Sequence, residues 1–465
     1  MAKYDVVIIG AGAAGLTAGA LLAKLGKKVL VVDRDEYLGG RAMAIPHEGY
    51  RLNLGGHLLE DSGSGITKVF EFLGKKLEHG TVNQGLPFWD NQLGKWRPIQ
   101  ERYQVDKGEL KKVITILCDT EFGQLDQWDH APLRHWLLQH TQSEGVIELF
   151  EYVAMAECLT EHWYDHSASD NLYVRKMHYQ EKRTAGYSFW PVGGWDGLFQ
   201  TLADSVVENG CEVRLRTQAQ RVIIERGRVV GVALESVDKA IPTEAFNYEI
   251  VETECVISTL PVWNVLSVVR EQDLPDWYVA QIKTLAQDHF KVCWLGFYVA
   301  THEPIYTGTH LTELAVWFEA PHSRLPGWAF LTSGVDPSTA PEGCHLFNCG
   351  FAFQGLRPRE WIEQKFEEAE RDLAVMYPKT FTPKNIIWKR RHLVGHPPFG
   401  VIQKPCLVGR YRPDYVVPNV DGLLMASETF RSRGIGVDRA ARAALTCVEQ
   451  VIGHRLPEFK DSWHY

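Results

Sequence analysis

The sequence predicts an α/β fold, and three features predict it. The hydrophobic run Val6–Ile9 stops at Gly10, and Gly10, Gly12 and Gly15 set out G-x-G-x-x-G before an alanine- and leucine-rich stretch of helical spacing. A second strand-like run over 28–32 ends on Asp33, 18 positions beyond Gly15. Strand-like and helical stretches then recur near 190–260 and again in the last fifty residues. Strand, tight turn, helix, second strand and acid in this register make the βαβ unit of a Rossmann-like, dinucleotide-binding domain.

Each position in that unit has a physical reason. Gly10 allows the turn, Gly12 lets a pyrophosphate approach the backbone, and Gly15 lets helix and strand pack closely while the helix N-terminus faces the phosphates. Asp33 is placed to accept hydrogen bonds from an adenosine ribose, and Arg34 beside it joins the expected cofactor contacts.

Composition bounds the remaining possibilities. A chain of 465 residues has room for two or three domains, or for one binding domain with a large insertion. A net charge of -9 argues against nucleic acid, whose phosphate backbone calls for a basic face. No apolar run approaches the ~18 to 20 residues needed to span a bilayer, and the N-terminus enters a strand with no signal peptide ahead of it. Nine cysteines are scattered singly, and Cys344 and Cys349 lack a second pair to complete a zinc site, so no metal site is expected. These features point to a reduced cytoplasmic setting and leave peripheral contact with a membrane open.

Further glycine-rich stretches extend the pattern. Gly39-Gly40-Arg41 follows Asp33, and YRLNLGGHLLED carries Gly55-Gly56-His57. PVGGWDGLFQTLADSVVENGCEVRLRTQAQRVIIERGRVVGV lies in the centre, and VDGLLMASETFRSRGIGVDRAARAALTCVEQVIG lies near the end. With these stretches the sequence resembles the flavin-containing amine oxidase and phytoene desaturase superfamily of FAD-dependent oxidoreductases. The resemblance covers the first sixty residues, a block near 190–260 and the last fifty or so. It implies a discontinuous FAD-binding domain, 1–62, 190–262 and 405–455, and an α+β substrate-binding domain, 63–189 and 263–404.

The resemblance also implies roles. Gly40 and Arg41 would lie along the pyrophosphate and ribityl chain, with Arg41 as a fixed positive fork. Gly55 and Gly56 mark a backbone crossing near the flavin ring, where a side chain would collide. Relatives carry an acid shortly before this pair, where this chain has Asn53. Val222 would meet the adenine through its backbone, although core packing explains the same valine. Glu428 would face the ribityl chain. Gly436 and Val437 would open a last helix whose N-terminus points at the pyrimidine edge of the flavin and favours its reduction. No cysteine stands where some relatives attach FAD covalently, so FAD is expected to bind noncovalently.

The intervening stretches are expected to build the substrate site. Apolar spacing predicts helices from Ser64 to Leu73 and over 108–117, 132–140, 146–159, 276–286 and 358–376, with strands over 291–299 and 345–352. A sheet floor under helices would enclose a pocket against the flavin. Fifteen tryptophans, among them Trp163, Trp190, Trp294 and Trp317, fit either domain seams or an apolar tunnel, and their number favours a bulky hydrophobic substrate. In HFKVCWLGFYV, Lys291 matches the lysine that amine-oxidase relatives set beside flavin N5, where a cation would assist reaction with oxygen. A strand-end lysine facing solvent fits the same position.

His57 ranks first among candidate acid/base groups because it adjoins Gly55-Gly56, ahead of His392 and His396. In SETFRSRGIG, Phe430 is followed by Arg431 and Arg433, where the amine oxidases place one of two caging aromatics. Two arginines there would repel an ammonium and suit a carboxylate, a phosphate or the flavin's own phosphates.

The expected activity is hydride transfer between flavin N5 and a hydrophobic small molecule, most simply desaturation of a C–C bond. The alternatives are a flavin amine oxidase using oxygen, a redox-neutral FAD-dependent double-bond isomerase, and a noncatalytic FAD-binding protein. No second G-x-G-x-x-G marks a nicotinamide site, so the electron acceptor is left unspecified.

Overall fold

The computed structural model describes residues 2–55, 65–83, 87–98, 101, 103–158, 165–180, 187–237, 248–306, 315–395 and 397–459. Five short strands, β1 (Val6–Ile9), β2 (Val29–Val32), β9 (Glu212–Arg214), β13 (Val256–Ser258) and β20 (Leu423–Met425), form a parallel sheet in the order β20–β13–β1–β2–β9. Its strands come from three stretches far apart in the chain.

β1 is buried on both faces, which is why all four of its residues are apolar. Val6 and Ile8 pack with helices α1 (Ala13–Lys24), α7 (Gly194–Glu208) and α10 (Gly436–Ile452). Val7 and Ile9 turn the other way, towards helix α8 (Asp276–Leu285) and a three-stranded sheet, β10 (Thr217–Glu225), β11 (Arg228–Ser236) and β12 (Glu249–Glu252).

The second sheet centres on β14 (Lys291–Thr301), whose eleven residues are all buried. Its order is β15 (Ala315–Glu319), β16 (Pro326–Leu331), β17 (His345–Gln354), β14, β18 (Ile386–Val394), and the short β19 (Gly400–Val401) pairs with the start of β14. Alternate residues serve opposite faces. Cys293, Leu295, Phe297 and Val299 join Phe347, Cys349, Phe351 and Phe353 under helix α9 (Arg359–Met376). That helix buries Ile362, Phe366, Ala369, Leu373 and Met376 at spacings of four and three, one apolar stripe. Trp294, Trp328, Phe330 and Ala352 point the other way and share a core with the helices over the parallel sheet.

Helices α2 (Gly65–Leu73), α3 (Lys107–Asp119), α4 (Leu133–Leu138) and α5 (Glu144–Cys158) lie where helical spacing predicts helices, within a few residues at each end, whereas α6 (Ala168–Gln180) was not predicted as a separate helix. Ser64, expected to cap α2, lies outside the described residues. Asp438 of α10 supplies a cap instead, its Oδ1 accepting from the Ile66 N–H at 2.9 Å. A Cβ on Gly65 would meet that oxygen at 1.3 Å, so glycine is required there.

Several strands escape the sequence reading. β3 (Ala44–His47) pairs with β4 (Tyr50–Asn53), and β5 (His79–Asn83) pairs with β8 (Tyr187–Pro191) across more than a hundred residues. β6 (Pro87–Asp90) and β7 (Lys95–Pro98) form a hairpin closed by Asp90, whose Oδ1 accepts from Gln92 N and Leu93 N at 2.9 and 3.1 Å.

Candidate active site

The G-x-G-x-x-G turn is built around absent side chains. A Cβ on Gly10 would lie 2.2 Å from Thr259 Oγ1, and one on Gly15 would lie 1.8 Å from the Gly10 carbonyl. Gly12 caps α1 without any side-chain hydrogen bond, and the first turn holds no acid. The leading N–H groups of α1 are therefore left to an external acceptor. Gly12 and Gly39 form a β-bridge, so the Gly39-Gly40 turn runs beside this helix end. A Cβ on Gly39 would strike the Phe199 ring at 2.5 Å.

Asp33 stands at the end of β2. Its Oδ2 accepts from Ala11 N at 2.6 Å and its Oδ1 from Asp35 N at 2.9 Å. Burial pushes its pKa up, against these two hydrogen bonds. Arg34 beside it is exposed, with Nε 3.8 Å from Asp35.

Arg41 meets the C-terminal block. Its Nη1 donates to the Phe399 carbonyl at 2.6 Å and to Glu428 Oε1. Glu428 also lies 3.9 Å from Nη1 of Arg412, a fully buried guanidinium that donates to the carbonyls of Leu407, at 2.8 Å, and Glu428. Gly55 passes close by: a Cβ there would sit 2.4 Å from the Arg41 carbonyl and 3.0 Å from the Phe399 ring.

α10 begins at Gly436, whose φ of 52° lies in the left-handed region, and Val437 packs half-buried behind it. Its N-terminus has no side-chain cap, because the first-turn acid Asp438 is turned to α2. Two buried arginines fix the approach to it. Arg433 donates to Asp170 Oδ1 at 2.8 Å, Asp129 Oδ1 at 2.7 Å, Asp126 Oδ1 at 2.5 Å and Ser169 Oγ at 3.0 Å. Arg439 donates to Asp170 Oδ2 at 3.0 Å and to the Ser432 carbonyl at 2.7 Å.

These contacts correct the reading of the arginines as substrate-facing charges. Arg433 is neutralised by three aspartates, and Arg431 is exposed with its Nη1 2.8 Å from Asp414. Phe430 is no cage residue either, since it is fully buried in the core behind the parallel sheet.

The opposite wall is the face of the β14 sheet that is turned away from α9. Gly296 of β14 lies in register between Gly350 of β17 and His392 of β18, and Trp328 of β16 pairs with Gly350. The glycines let large rings lie flat: a Cβ on Gly350 would be 2.5 Å from the Trp328 indole, and one on Gly296 would be 2.8 Å from His392 Nε2. Trp294 contacts Trp328 edge to face, with centroids 6.3 Å apart, and lies 4.4 Å from Phe399. His392 stacks on Tyr298 at 4.4 Å and pairs through Nε2 with the Cys349 carbonyl at 3.1 Å. Burial pushes its pKa down to about 4, so the ring is neutral at physiological pH.

Lys291 opens β14, where its register partner is Val401 of β19, and its Nζ is 2.6 Å from Asp288 Oδ1. Val222 donates its N–H to the Val268 carbonyl at 2.8 Å and its side chain is buried. Gly56, His57, Trp163 and His396, and the side chain of Trp317, lie outside the described residues. Trp190 is fully buried against Trp195, with centroids 6.2 Å apart, and fills a seam. Among the described residues no group of three His, Cys, Asp or Glu side chains is placed to hold a metal ion, and no helix is long and apolar enough to cross a membrane.

Trp328, Phe399, Asn348 and the aspartates that bind Arg433 were not singled out from the sequence. The glycines inside W-L-G-F-Y and N-C-G-F-A were the available signal, because a glycine within a strand marks a close approach.

An FAD fits this arrangement: uncapped helix ends at α1 and α10, glycines that clear the path of the cofactor, and an acid at the end of β2. Comparison with known proteins agrees. The family described as flavin-containing amine oxidoreductase matches residues 13–452. A chloroplastic prolycopene isomerase of Daucus carota is 24% identical over 414 residues, covering 80% of this chain and 65% of that protein. The chain thus spans about two thirds of that relative's length. A putrescine oxidase of Kocuria rosea is 28% identical over 159 residues, 31% of this chain and 33% of that protein. The crystal structure of an oxidoreductase from Methanosarcina mazei superposes with a TM-score of 0.70 at 18% identity, covering 96% of this chain and 100% of the other, and shows the same fold. The chain is a member of the flavin-containing amine oxidoreductase family, an FAD-dependent oxidoreductase.

Proposed function

We propose that the protein dehydrogenates an apolar, isoprenoid-like small molecule, with one carbon giving a hydride to the flavin and its neighbour losing a proton, so that a C–C double bond forms. The observation that carries this reading is the face of the β14 sheet turned towards the cofactor helices. Its described residues on β14, β16 and β17 include Trp294, Trp328, Phe330, Tyr298 and Ala352, with no carboxylate and no ammonium among them. A wall of this kind excludes water from a hydrophobic substrate and holds it by area rather than by charge.

In this reading FAD, when bound, supplies the two-electron chemistry. Gly10, Gly12 and the first turn of α1 hold its pyrophosphate, with Gly15 allowing the helix its close approach. Asp33 and Arg34 stand at the ribose, and Gly40, Arg41 and Glu428 line the ribityl path. Gly55 passes the ring, and the N-terminus of α10 at Gly436 and Val437 offers its dipole to the carbonyl edge. The segments that carry these groups, 1–62, 190–262 and 405–455, act as the FAD-binding part, and 63–189 with 263–404 as the substrate part. The electron acceptor is a separate molecule, and collecting a lipidic substrate at a membrane surface is compatible with this reading.

The amine-oxidase reading is disfavoured by Phe430, which is buried behind the parallel sheet and offers no caging aromatic. A second reading, redox-neutral shifting of a double bond, is favoured by the similarity to the prolycopene isomerase along 80% of this chain.

The rate at which the photoreduced flavin is reoxidised when air is admitted tests the proposal. Slow reoxidation is expected; fast reoxidation with stoichiometric peroxide would make the protein an oxidase. Conversion of a polyene isomer by pre-reduced protein, with no net oxidation, would select the isomerase reading.

A further inference from the structure

Among the described residues, five buried polar atoms without a hydrogen-bond partner surround one tyrosine. They are Oδ1 and Nδ2 of Asn53, Oδ1 and Nδ2 of Asn348, and Nδ1 of His392. Tyr298 links them. Its Oη donates to the Asn53 carbonyl at 2.6 Å, Asn348 is its register partner on β17, and the His392 ring stacks on it at 4.4 Å. Both asparagines are 1% exposed.

Buried amides are normally satisfied, because leaving donor and acceptor without partners forfeits what water offered them. Two wholly unpartnered carboxamides beside one ring are a concentration that packing does not explain. The His392 tautomer follows from its other nitrogen: Nε2 faces the Cys349 carbonyl and must carry the hydrogen, so Nδ1 presents a bare lone pair.

The surroundings define what fits. Phe330 flanks Asn348 on β16, and Trp328 lies over the neighbouring Gly350, so the polar corner is set in an aromatic wall. Arg390, the register partner of Tyr298 on β18, is exposed and its Nη1 is 3.3 Å from His47. A carboxylate or ammonium would be buried here without a counter-charge. A hydroxyl both donates and accepts, and a carbonyl accepts from an amide.

We propose that Asn348, with Asn53 and His392, forms a polar subsite that receives a neutral hydroxyl or carbonyl group carried by an otherwise apolar substrate. The inference rests on the apolar, isoprenoid-like reading of the same site and adds a requirement for one oxygen function. Asn348 is its specificity-determining residue.

The test uses FAD-loaded protein and two probes that differ in that oxygen, farnesol and farnesene, with dissociation constants read from perturbation of the flavin absorbance. The wild type is expected to bind farnesol at least tenfold more tightly than farnesene. Asn348→Leu is expected to bring the two within twofold at an undiminished melting temperature, since it removes two unpartnered polar atoms. Should that variant not yield holoprotein, Asn348→Ser is read on the same ratio, with a fall of at least threefold expected. A ratio unchanged in either variant, or a melting temperature lowered by Asn348→Leu, overturns the subsite and makes the amide structural. Equal binding of both probes by the wild type overturns the subsite and leaves the apolar reading standing. No response to either probe overturns both.

Discussion

Arg41 and Glu428 form an ion pair across 387 positions of the chain, fastening the Gly-Gly-Arg turn to the segment that follows the last strand of the parallel sheet. The pair is three-quarters or more removed from solvent, and Arg412 lies against the other Glu428 oxygen at 3.9 Å. Glu428 thus balances two guanidinium groups where both turns approach the cofactor path.

Replacing Glu428 by Gln leaves both arginines facing a neutral amide. A loss of about 1.4 kcal/mol, or about tenfold in affinity for FAD, is expected. Titration of the apoprotein with FAD, followed by quenching of flavin fluorescence, reads the change. Because no cysteine linkage is expected, the flavin of the wild type should be released entirely by acid precipitation.

Asp170 is the acceptor for both Arg433 and Arg439 at full burial. Asp170→Asn removes the charge that balances them and is expected to cost about 3–5 kcal/mol, seen as a lower melting temperature and loosened flavin. Burial alone would raise its pKa, but Arg439 and then Arg433 outweigh burial and hold it below the usual carboxylate range. A lowered folded pKa contributes stability above the unfolded value, about 3.9, that is lost as pH falls through the folded value. The melting-temperature difference between wild type and variant should therefore shrink below about pH 4.

His392 supplies a second pH dependence. Its pKa is pushed down to about 4 by burial, from an unfolded value of about 6.5. The folded state binds this proton less readily, so the contribution is complete above pH ~6.5 and is lost as pH falls towards 4. His166, pushed down to about 4 in the same way, acts in the same window. His392→Gln should remove part of the fall in melting temperature between pH ~6.5 and ~4. Equal slopes for wild type and variant would show that the ring titrates normally.

The two floor glycines make a steric prediction. A Cβ on Gly296 would lie 1.9 Å from the Cys349 carbonyl oxygen, which is backbone, and one on Gly350 would lie 2.5 Å from the Trp328 ring. Gly296→Ala is expected to cost about 3 kcal/mol and Gly350→Ala about 1–2 kcal/mol, because a side chain yields more easily than a strand. Thermal melting ranks the two.

The turns proposed to hold the cofactor were legible in the sequence because their signals are local: Gly10, Gly12, Gly15 and Asp33 lie within one βαβ unit, and Gly434 to Ile452 carry a turn and one helix. The sheet face proposed as the substrate wall was not. Its residues come from four strands spread over about a hundred positions, and alternation along one strand does not reveal which parity faces which neighbour. The strand around Lys291 was expected correctly, but its ion pair with Asp288 was not; with that carboxylate holding the ammonium, Lys291→Met is expected to leave reoxidation of the flavin by air unchanged. Arg433 was misread for a related reason, since its three aspartates lie more than 260 positions upstream.

Anaerobic mixing of the FAD-loaded protein with phytoene in detergent micelles, followed at the flavin absorbance band near 450 nm, tests the central claim most directly. The account predicts bleaching by the polyene, formation of a more conjugated product, and no bleaching by putrescine. Bleaching by the amine with none by the polyene would contradict it.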